Sequence, residues 1–343
     1  MEDKPTKVVV TGGSGYVGTH VIEQLLDHGY SVVATVRSAE AAARVRAALT
    51  GRSTELLSFV EAELTSDRGW DDAMSGATYV IHTASPFPPA QPENADELIV
   101  PARDGALRVL GAAERAGVRR VVLTSSFAAV GYSRNNLDVP FTEADWTDAS
   151  GPHTPYVKSK TIAERAAWDY VAQPDVAIEL SVINPVAIIG PVHGRDFASS
   201  IGMVLMLTTG MMPGNPKLSF GVVDVRDVAD LHIRAMTNPN AAGERFLAVS
   251  HSPVWVHDMA TTLRRLTPEY AGKVPRRQLP NWVVRLAAKR QPALASFTSE
   301  LGKAKQISHD KAAQLLGWQP RSVDESLEAT VRSLAEVGVI SPV

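Results

Sequence analysis

Tyr156 and Lys160 stand four residues apart in Tyr156-Val157-Lys158-Ser159-Lys160, so on a helix they share one face. A free phenol, with a pKa of about 10, is a poor acid–base group at neutral pH. An ammonium beside it favours the phenolate and eases proton exchange. The same ammonium can bond a ribose. A serine hydroxyl at a strand end, Thr124-Ser125-Ser126, could orient a carbonyl oxygen. Ser126 is the first choice and Ser125 the alternative, because one residue of register decides which hydroxyl faces the site. Tyr-x-x-x-Lys also occurs on ordinary helix faces, so its meaning depends on what positions it.

The positioning elements begin at the N-terminal end. Val8-Val9-Val10 is a short β-branched run, read as a parallel strand buried on both faces. The glycine cluster Thr11-Gly12-Gly13-Ser14-Gly15-Tyr16-Val17-Gly18 follows, and then an amphipathic stretch closed by Gly29. Strand, glycine turn and helix open a dinucleotide-binding unit. Gly12, Gly15 and Gly18 serve the tight turn, the bare backbone facing the phosphates and the close helix–strand packing, with Tyr16 and Val17 between them. A plain structural turn is the bland alternative.

The second strand, residues 31–36, ends in Arg37, where an NAD-binding chain usually carries Asp or Glu for the ribose 2′-hydroxyl. A guanidinium matches a 2′-phosphate instead, so NADP(H) is favoured over NAD(H). Arg44, on the following helix, is a weaker second candidate. Strands are expected at 57–60, 77–82, 118–124 and 177–184, with helices at 39–49, 71–74, 96–116 and 156–171 between them. This β-α alternation predicts a doubly wound parallel sheet of Rossmann type. The small residues Thr83-Ala84-Ser85 at a strand's carboxyl end suit a cofactor lying across the sheet.

Residues 127–155 read as irregular. Beyond 190 the alternation breaks down, with helices expected near 201–209, 225–236, 255–266, 281–289, 308–316 and 323–337, and strands near 219–223 and 245–249. The expected organisation is a cofactor-binding domain, 1–190 plus parts of 219–250, interleaved with a smaller substrate lobe, 191–218 and 251–343.

With 343 residues, 45% hydrophobic and 21% charged, the chain has ample core for such a fold. A net charge of −3 with no long run of one sign argues against nucleic-acid or anionic-membrane partners. Cysteine is absent, which excludes disulfides, thiolate metal sites and a catalytic thiol. A reducing, cytoplasmic setting fits, and no targeting core or membrane-spanning run is evident. No histidine–carboxylate cluster with linear metal spacing is apparent, so no metal is expected.

The chain resembles the extended short-chain dehydrogenase/reductase superfamily almost end to end. The resemblance rests on the glycine cluster, His82-Thr83-Ala84-Ser85-Pro86, Thr124-Ser125-Ser126, Tyr156-x-x-x-Lys160 and Asn184-Pro185. Val36-Arg37, the residues from Tyr156 to Glu164, and Asp224-Val225-Arg226-Asp227-Val228-Ala229 are similar to the dihydroflavonol-reductase branch, which includes NADPH-dependent aldehyde and ketone reductases. The resemblance implies Tyr156 as proton donor, Lys160 lowering its pKa and holding the ribose, and Ser126 orienting the carbonyl. It also implies Arg37 and Arg44 at the 2′-phosphate and Glu63-Leu64 beside the adenine. Ala84, Ser85 and Pro185, Val186 and Ala187 would line the dinucleotide. Glu63 replaces the Asp of many relatives, and the helix starting near Val100 lacks an asparagine common in sugar-nucleotide relatives.

The expected function is therefore NADPH-dependent reduction of a small, hydrophobic aldehyde or ketone. An NAD-dependent nucleotide-sugar epimerase or dehydratase and a non-catalytic NADP-sensing regulator are the alternatives. His153, three residues before Tyr156, either faces the substrate or sits in a surface loop. Phe87, Phe127, Val130, Tyr132, Met203, Leu207 and Met211 are candidate pocket walls, against the bland alternative of ordinary core. The long helices at 96–116 and 156–171 could form a homodimer bundle or simply cover the sheet of a monomer.

Overall fold

Val8, Val9 and Val10 are fully buried, as an apolar run covered on both faces must be. The computed structural model describes residues 4–86, 92–134, 136–195, 197, 199–251, 253–289 and 297–342. In it these valines sit at the centre of β1 (Lys7–Thr11), and their alternation decides the layers. Val8 and Val10 enter one core cluster, and Val9 enters the other, because successive strand side chains point to opposite faces.

The chain continues through α1 (Tyr16–Asp27), β2 (Ser31–Val36), α2 (Ala39–Ala48), β3 (Leu57–Glu61), α3 (Trp70–Met74), β4 (Tyr79–His82), α4 (Asp96–Arg115), β5 (Arg120–Thr124), α5 (Pro155–Val171) and β6 (Glu179–Pro185). Short strands β7 (Ala187–Ile189), β8 (Ser219–Phe220) and β9 (Val222–Asp224) surround α6 (Ser199–Thr209). Then come α7 (Val225–Thr237), β10 (Arg245–Ala248), β11 (Val254–Trp255), α8 (Val256–Leu266), α9 (Asn281–Ala288), α10 (Asp310–Leu316) and α11 (Val323–Glu336).

Among the described residues the main sheet has seven strands in the order β10-β6-β5-β4-β1-β2-β3, and every pairing in it is parallel. The order reverses at β1 and β4, which opens a crevice beyond their carboxyl ends. α1, α7 and Trp318 cover one face; α3, α4 and α5 contribute to the other. α4 and α5 lie against each other. A third cluster, built from α6, α8, α11 and the β7–β9 ribbon, forms the core of the smaller lobe. Tyr16, at the start of α1, packs against that cluster and joins the two.

α7 and β10 return the chain to the main sheet. Arg120 on β5 is 1% exposed and ties this return down. Its guanidinium pairs with Glu179, at 2.6 Å, and Nη1 donates to the carbonyls of Ala235, Met236 and Asn238, at 2.8, 3.2 and 2.6 Å. A cation there suits the negative end of a helix.

Several local expectations change. The strand expected at 219–223 is two strands, broken at Gly221, where an added Cβ would meet Val186 Cγ1 at 2.9 Å. β8 pairs antiparallel with β11, and β9 pairs parallel with β7. The 127–155 segment is not wholly irregular: a 3-10 turn spans Phe127–Ala129, and Phe141 bridges to Ile307. α10 starts two residues later than expected, at Asp310. Leu207 and Val130 are corrected from pocket wall to core, since Leu207 is wholly enclosed by the smaller-lobe cluster and Val130 by Phe127, Phe141 and their neighbours. Apolar periodicity marks an inward face without saying what lies inside. Met211 is exposed. Phe87 lies outside the described residues.

Candidate active site

The glycine turn is built from close approaches. Gly12 has φ +66°, and a Cβ on it would meet Ala84 Cα at 2.8 Å. A Cβ on Gly18 would meet the Gly12 carbonyl oxygen at 2.4 Å. The turn is pinned to β2 by Gly12 N–H donating to Thr35 Oγ1 and Gly13 N–H donating to the Thr35 carbonyl. Thr83 Oγ1 donates to the Thr11 carbonyl, and Ala84 N–H donates to Thr11 Oγ1, joining the ends of β1 and β4. Gly15 is the N-cap of α1. It supplies no side-chain cap, and the first turn holds no acidic residue. α2, α5, α7 and α11, by contrast, each have a side-chain cap. The first-turn N–H groups and positive end of α1 are therefore suited to an anion.

Across the crevice, Thr154 caps α5 and Pro155 occupies its first turn, a position where the missing N–H is harmless. The helix carries Tyr156, Lys160 and Glu164 on one face. Tyr156 Oη donates to Ser126 Oγ at 3.3 Å, and Ser126 Oγ also accepts from Ala128 N–H at 3.1 Å. Ser125 turns the other way and donates to Glu164 Oε2 at 2.5 Å. The two serines thus take separate roles: Ser126 meets the phenol and Ser125 anchors the helix from below.

Burial pushes the Tyr156 phenol up, and its hydrogen bond with Ser126 works in the opposite sense. The net direction is opposite to the sequence expectation of a phenol lowered by Lys160, because desolvation is the larger effect. Lys160 is itself buried. Desolvation brings it down to about 8, against the opposing pull of the Glu164 carboxylate.

Glu164 is the residue that motif reasoning left without a role. It is 0% exposed. Its carboxylate pairs with Arg245 at 2.6 Å and accepts from Asn184 Nδ2 at 2.7 Å. Arg245 stacks over the Trp146 ring, 3.7 Å from its centroid. Asn184 Nδ2 also donates to the Ser126 carbonyl. This network ties β5, α5, β6 and β10 together beneath Tyr156 and Ser126. Its one local signal is a carboxylate one turn beyond Lys160; Arg245 comes from 81 residues away.

Two histidines beside the site are held neutral. His82 Nδ1 lies 2.6 Å from Thr11 Oγ1, and burial, then the nearby Lys160 charge, bring His82 down to about 3. His232 lies between Thr124 Oγ1 and the Val228 carbonyl, and burial brings it down to about 4.

Of the remaining expected residues, Arg37 and Arg44 are exposed, at the end of β2 and on α2. Glu63 is exposed, and its carbonyl accepts from Trp70 Nε1. Leu64 packs where Gly105 leaves room. Ser85 is half-buried beside Ala84; Pro185 is buried at the end of β6, and Val186 and Ala187 are half-buried. His153 is half-buried, with Nε2 3.3 Å from Ser133 Oγ, and its ring meets Tyr132 edge-on. Phe127 packs edge-on against Phe141. Met203 is half-buried at the margin of the smaller-lobe core. The structure thus gathers Ser126, Tyr156 and Lys160 on one side of the crevice and the glycine turn with Ala84 on the other.

Comparison with known proteins gives a consistent set. The model of the NAD dependent epimerase/dehydratase family matches residues 8–248. Cinnamoyl-CoA reductase CAD2 of Medicago truncatula is 35% identical over 339 residues, covering 96% of this chain and 95% of that one. Dihydroflavonol 4-reductase of Zea mays is 35% identical over 281 residues, covering 79% and 76%. Among solved structures, yeast methylglyoxal/isovaleraldehyde reductase Gre2 complexed with NADPH superposes with a TM-score of 0.79 at 25% identity, covering 97% of this chain and 99% of that one.

Proposed function

Since the chain belongs to the NAD dependent epimerase/dehydratase family, within the extended short-chain dehydrogenases/reductases, we propose that it is an NADPH-dependent reductase of aldehydes or ketones. The observation that carries this reading is the Tyr156–Ser126 hydrogen bond, with Lys160 one turn along, facing the glycine turn across the sheet edge. The reductases it is similar to support it, including the NADPH complex of Gre2.

The residues fit the cofactor. The uncapped α1 N-terminus suits a pyrophosphate, and exposed Arg37, with Arg44 nearby on α2, suits a 2′-phosphate. Glu63 and Leu64 would flank the adenine; Ala84, Ser85 and the stretch from Pro185 to Ala187 would line the rest. Bound NADPH would supply the hydride. Ser126 would orient the substrate carbonyl by donating to its oxygen, and Tyr156 would deliver the proton from Oη to that oxygen. Burial keeps the phenol protonated until charge develops on the substrate. Lys160 would then stabilise the phenolate and hold the ribose.

Within this reading residues 1–190, with parts of 219–250, form the cofactor domain, and 191–218 with 251–343 form the substrate lobe. Tyr132, His153 and Met203 would line the substrate pocket, with Phe127, buried against Phe141, behind them, and the tyrosine and methionine would favour a hydrophobic carbonyl compound. A cytoplasmic monomer or homodimer accords with it; among the described residues no helix is long and apolar enough to cross a membrane. The test is NADPH oxidation over a panel of aldehydes, ketones and keto esters, with NADH in parallel. Turnover with NADPH well above NADH is expected. No oxidation across the panel refutes the reading, and co-purified NAD with activity needing no added cofactor would replace it with epimerase chemistry.

A further inference from the structure

One turn into α1, where His20 packs edge-on against Tyr16, three side chains converge on one point. His20 Nδ1 lies 3.2 Å from Glu23 Oε2, and His193 Nε2 lies 3.1 Å from the same oxygen. The two imidazole rings are 4.2 Å apart, centroid to centroid. Around a tetrahedral zinc ion with ligands at about 2.0–2.1 Å, neighbouring donor atoms are separated by about 3.3 Å.

The remaining contacts leave these atoms available. His20 Nε2 lies 3.0 Å from the Pro191 carbonyl, which can only accept, so the proton of a neutral ring sits on Nε2. Its Nδ1 then points a lone pair at the carboxylate, buried and without a hydrogen-bond donor. His20 is 1% exposed, so this nitrogen has no solvent to bond. Arg52 occupies the other carboxylate oxygen, Glu23 Oε1, at 2.6 Å. Oε2 is left to the two histidines. Two imidazole nitrogens and one carboxylate oxygen, with His20 and Glu23 each oriented by an outer partner, make a metal-binding arrangement.

We propose that His20, Glu23 and His193 form a three-ligand site for a divalent cation of the zinc class, linking α1 to the segment that leads into the smaller lobe. Two nitrogen donors and one oxygen favour zinc, cobalt or nickel over magnesium or calcium, which prefer all-oxygen shells. His193 is partly exposed and Glu23 is 16% exposed, so the open side admits the ion and leaves a fourth position for solvent. The segment is itself anchored, since Gly190 N–H and Val192 N–H donate to Thr330 and Ser333 of α11. A bound ion would therefore fasten α1 to the last helix. His193 enters from 170 residues away, so linear spacing conceals the site, and the sequence expectation of no metal rested on linear spacing.

The experiment titrates zinc, and cobalt as a spectroscopic reporter, into tag-free protein freed of metal by a chelator, near neutral pH. Expected are one saturable equivalent, a cobalt visible spectrum of low-coordinate nitrogen–oxygen type, and a rise in Tm of about 4 °C at a hundredfold excess of zinc over its Kd. His193→Ala and Glu23→Gln, both at partly exposed positions, should weaken binding by more than about a hundredfold, beyond the loss that outer-shell changes cause. Each variant should keep the metal-free Tm within a few degrees, so that loss of binding is distinguished from loss of fold. Absence of saturable binding overturns the site, as does binding that survives His193→Ala unchanged. In either case the three groups form only an ionic cluster.

Discussion

Tyr156 and Lys160 are set in opposite directions by the same burial, the phenol raised and the ammonium brought down to about 8. The consequence is a reductase poised to give a proton rather than to take one. Tyr156→Phe removes the proposed donor and should lower kcat by about 10³-fold, within the range for a lost general acid, while the NADPH dissociation constant changes little. Stopped-flow turnover with a fluorescence titration of cofactor checks both. Lys160 loses its proton as pH rises through about 8, so kcat/KM for reduction should fall above that pH. In Lys160→Arg the guanidinium stays charged, and whatever rate survives should lack that alkaline fall; pH–rate profiles of the two proteins make the comparison. The residue types at 156 and 160 were readable from their spacing. The separate directions of Ser125 and Ser126 were not, because they depend on Glu164, 39 residues along the chain from Ser125.

Elements are held beneath the site by a buried charge pair. Removing one partner of such a pair strands the other without compensation and costs about 3–5 kcal/mol. Glu164→Ala should therefore lower unfolding free energy by about that amount, read from urea denaturation. Glu164→Leu combined with Arg245→Met should restore much of it, because neither charge is then left buried. A double variant that loses as much as the two single variants added together would show the pair to be uncoupled. At this scale the strands of the first half were legible as uninterrupted β-branched runs. The split of 219–223 was not, because it comes from Gly221 yielding space to Val186, a contact no periodicity records. Leu207 likewise sits on a stripe whose inward face was foreseeable, while the neighbours waiting inside were not.

At the scale of the molecule, the doubly wound sheet and its relation to reductases followed from the order of motifs. The path of the chain did not follow from it in detail: β10 joins the main sheet and α7 packs on one face of it, while segments on either side of them build a separate core. This route has a bearing on biosynthesis. As the polypeptide leaves the ribosome, β6 emerges long before its neighbour β10, and it remains an open edge in the meantime. Arg120 is already committed to the interior, and the three carbonyls that receive its Nη1 arrive more than a hundred residues later. Until β10 is made, a sheet already formed would carry an unpaired strand and a half-satisfied cation, a state prone to edge-to-edge association. A polypeptide ending at residue 190 should accumulate in the insoluble fraction, and one ending at 250, after β10, should be recovered in solution to a markedly greater extent. Equal solubility of the two would mean that the sheet closes without its last strand. The nascent chain would otherwise call on a chaperone for the interval between β6 and β10.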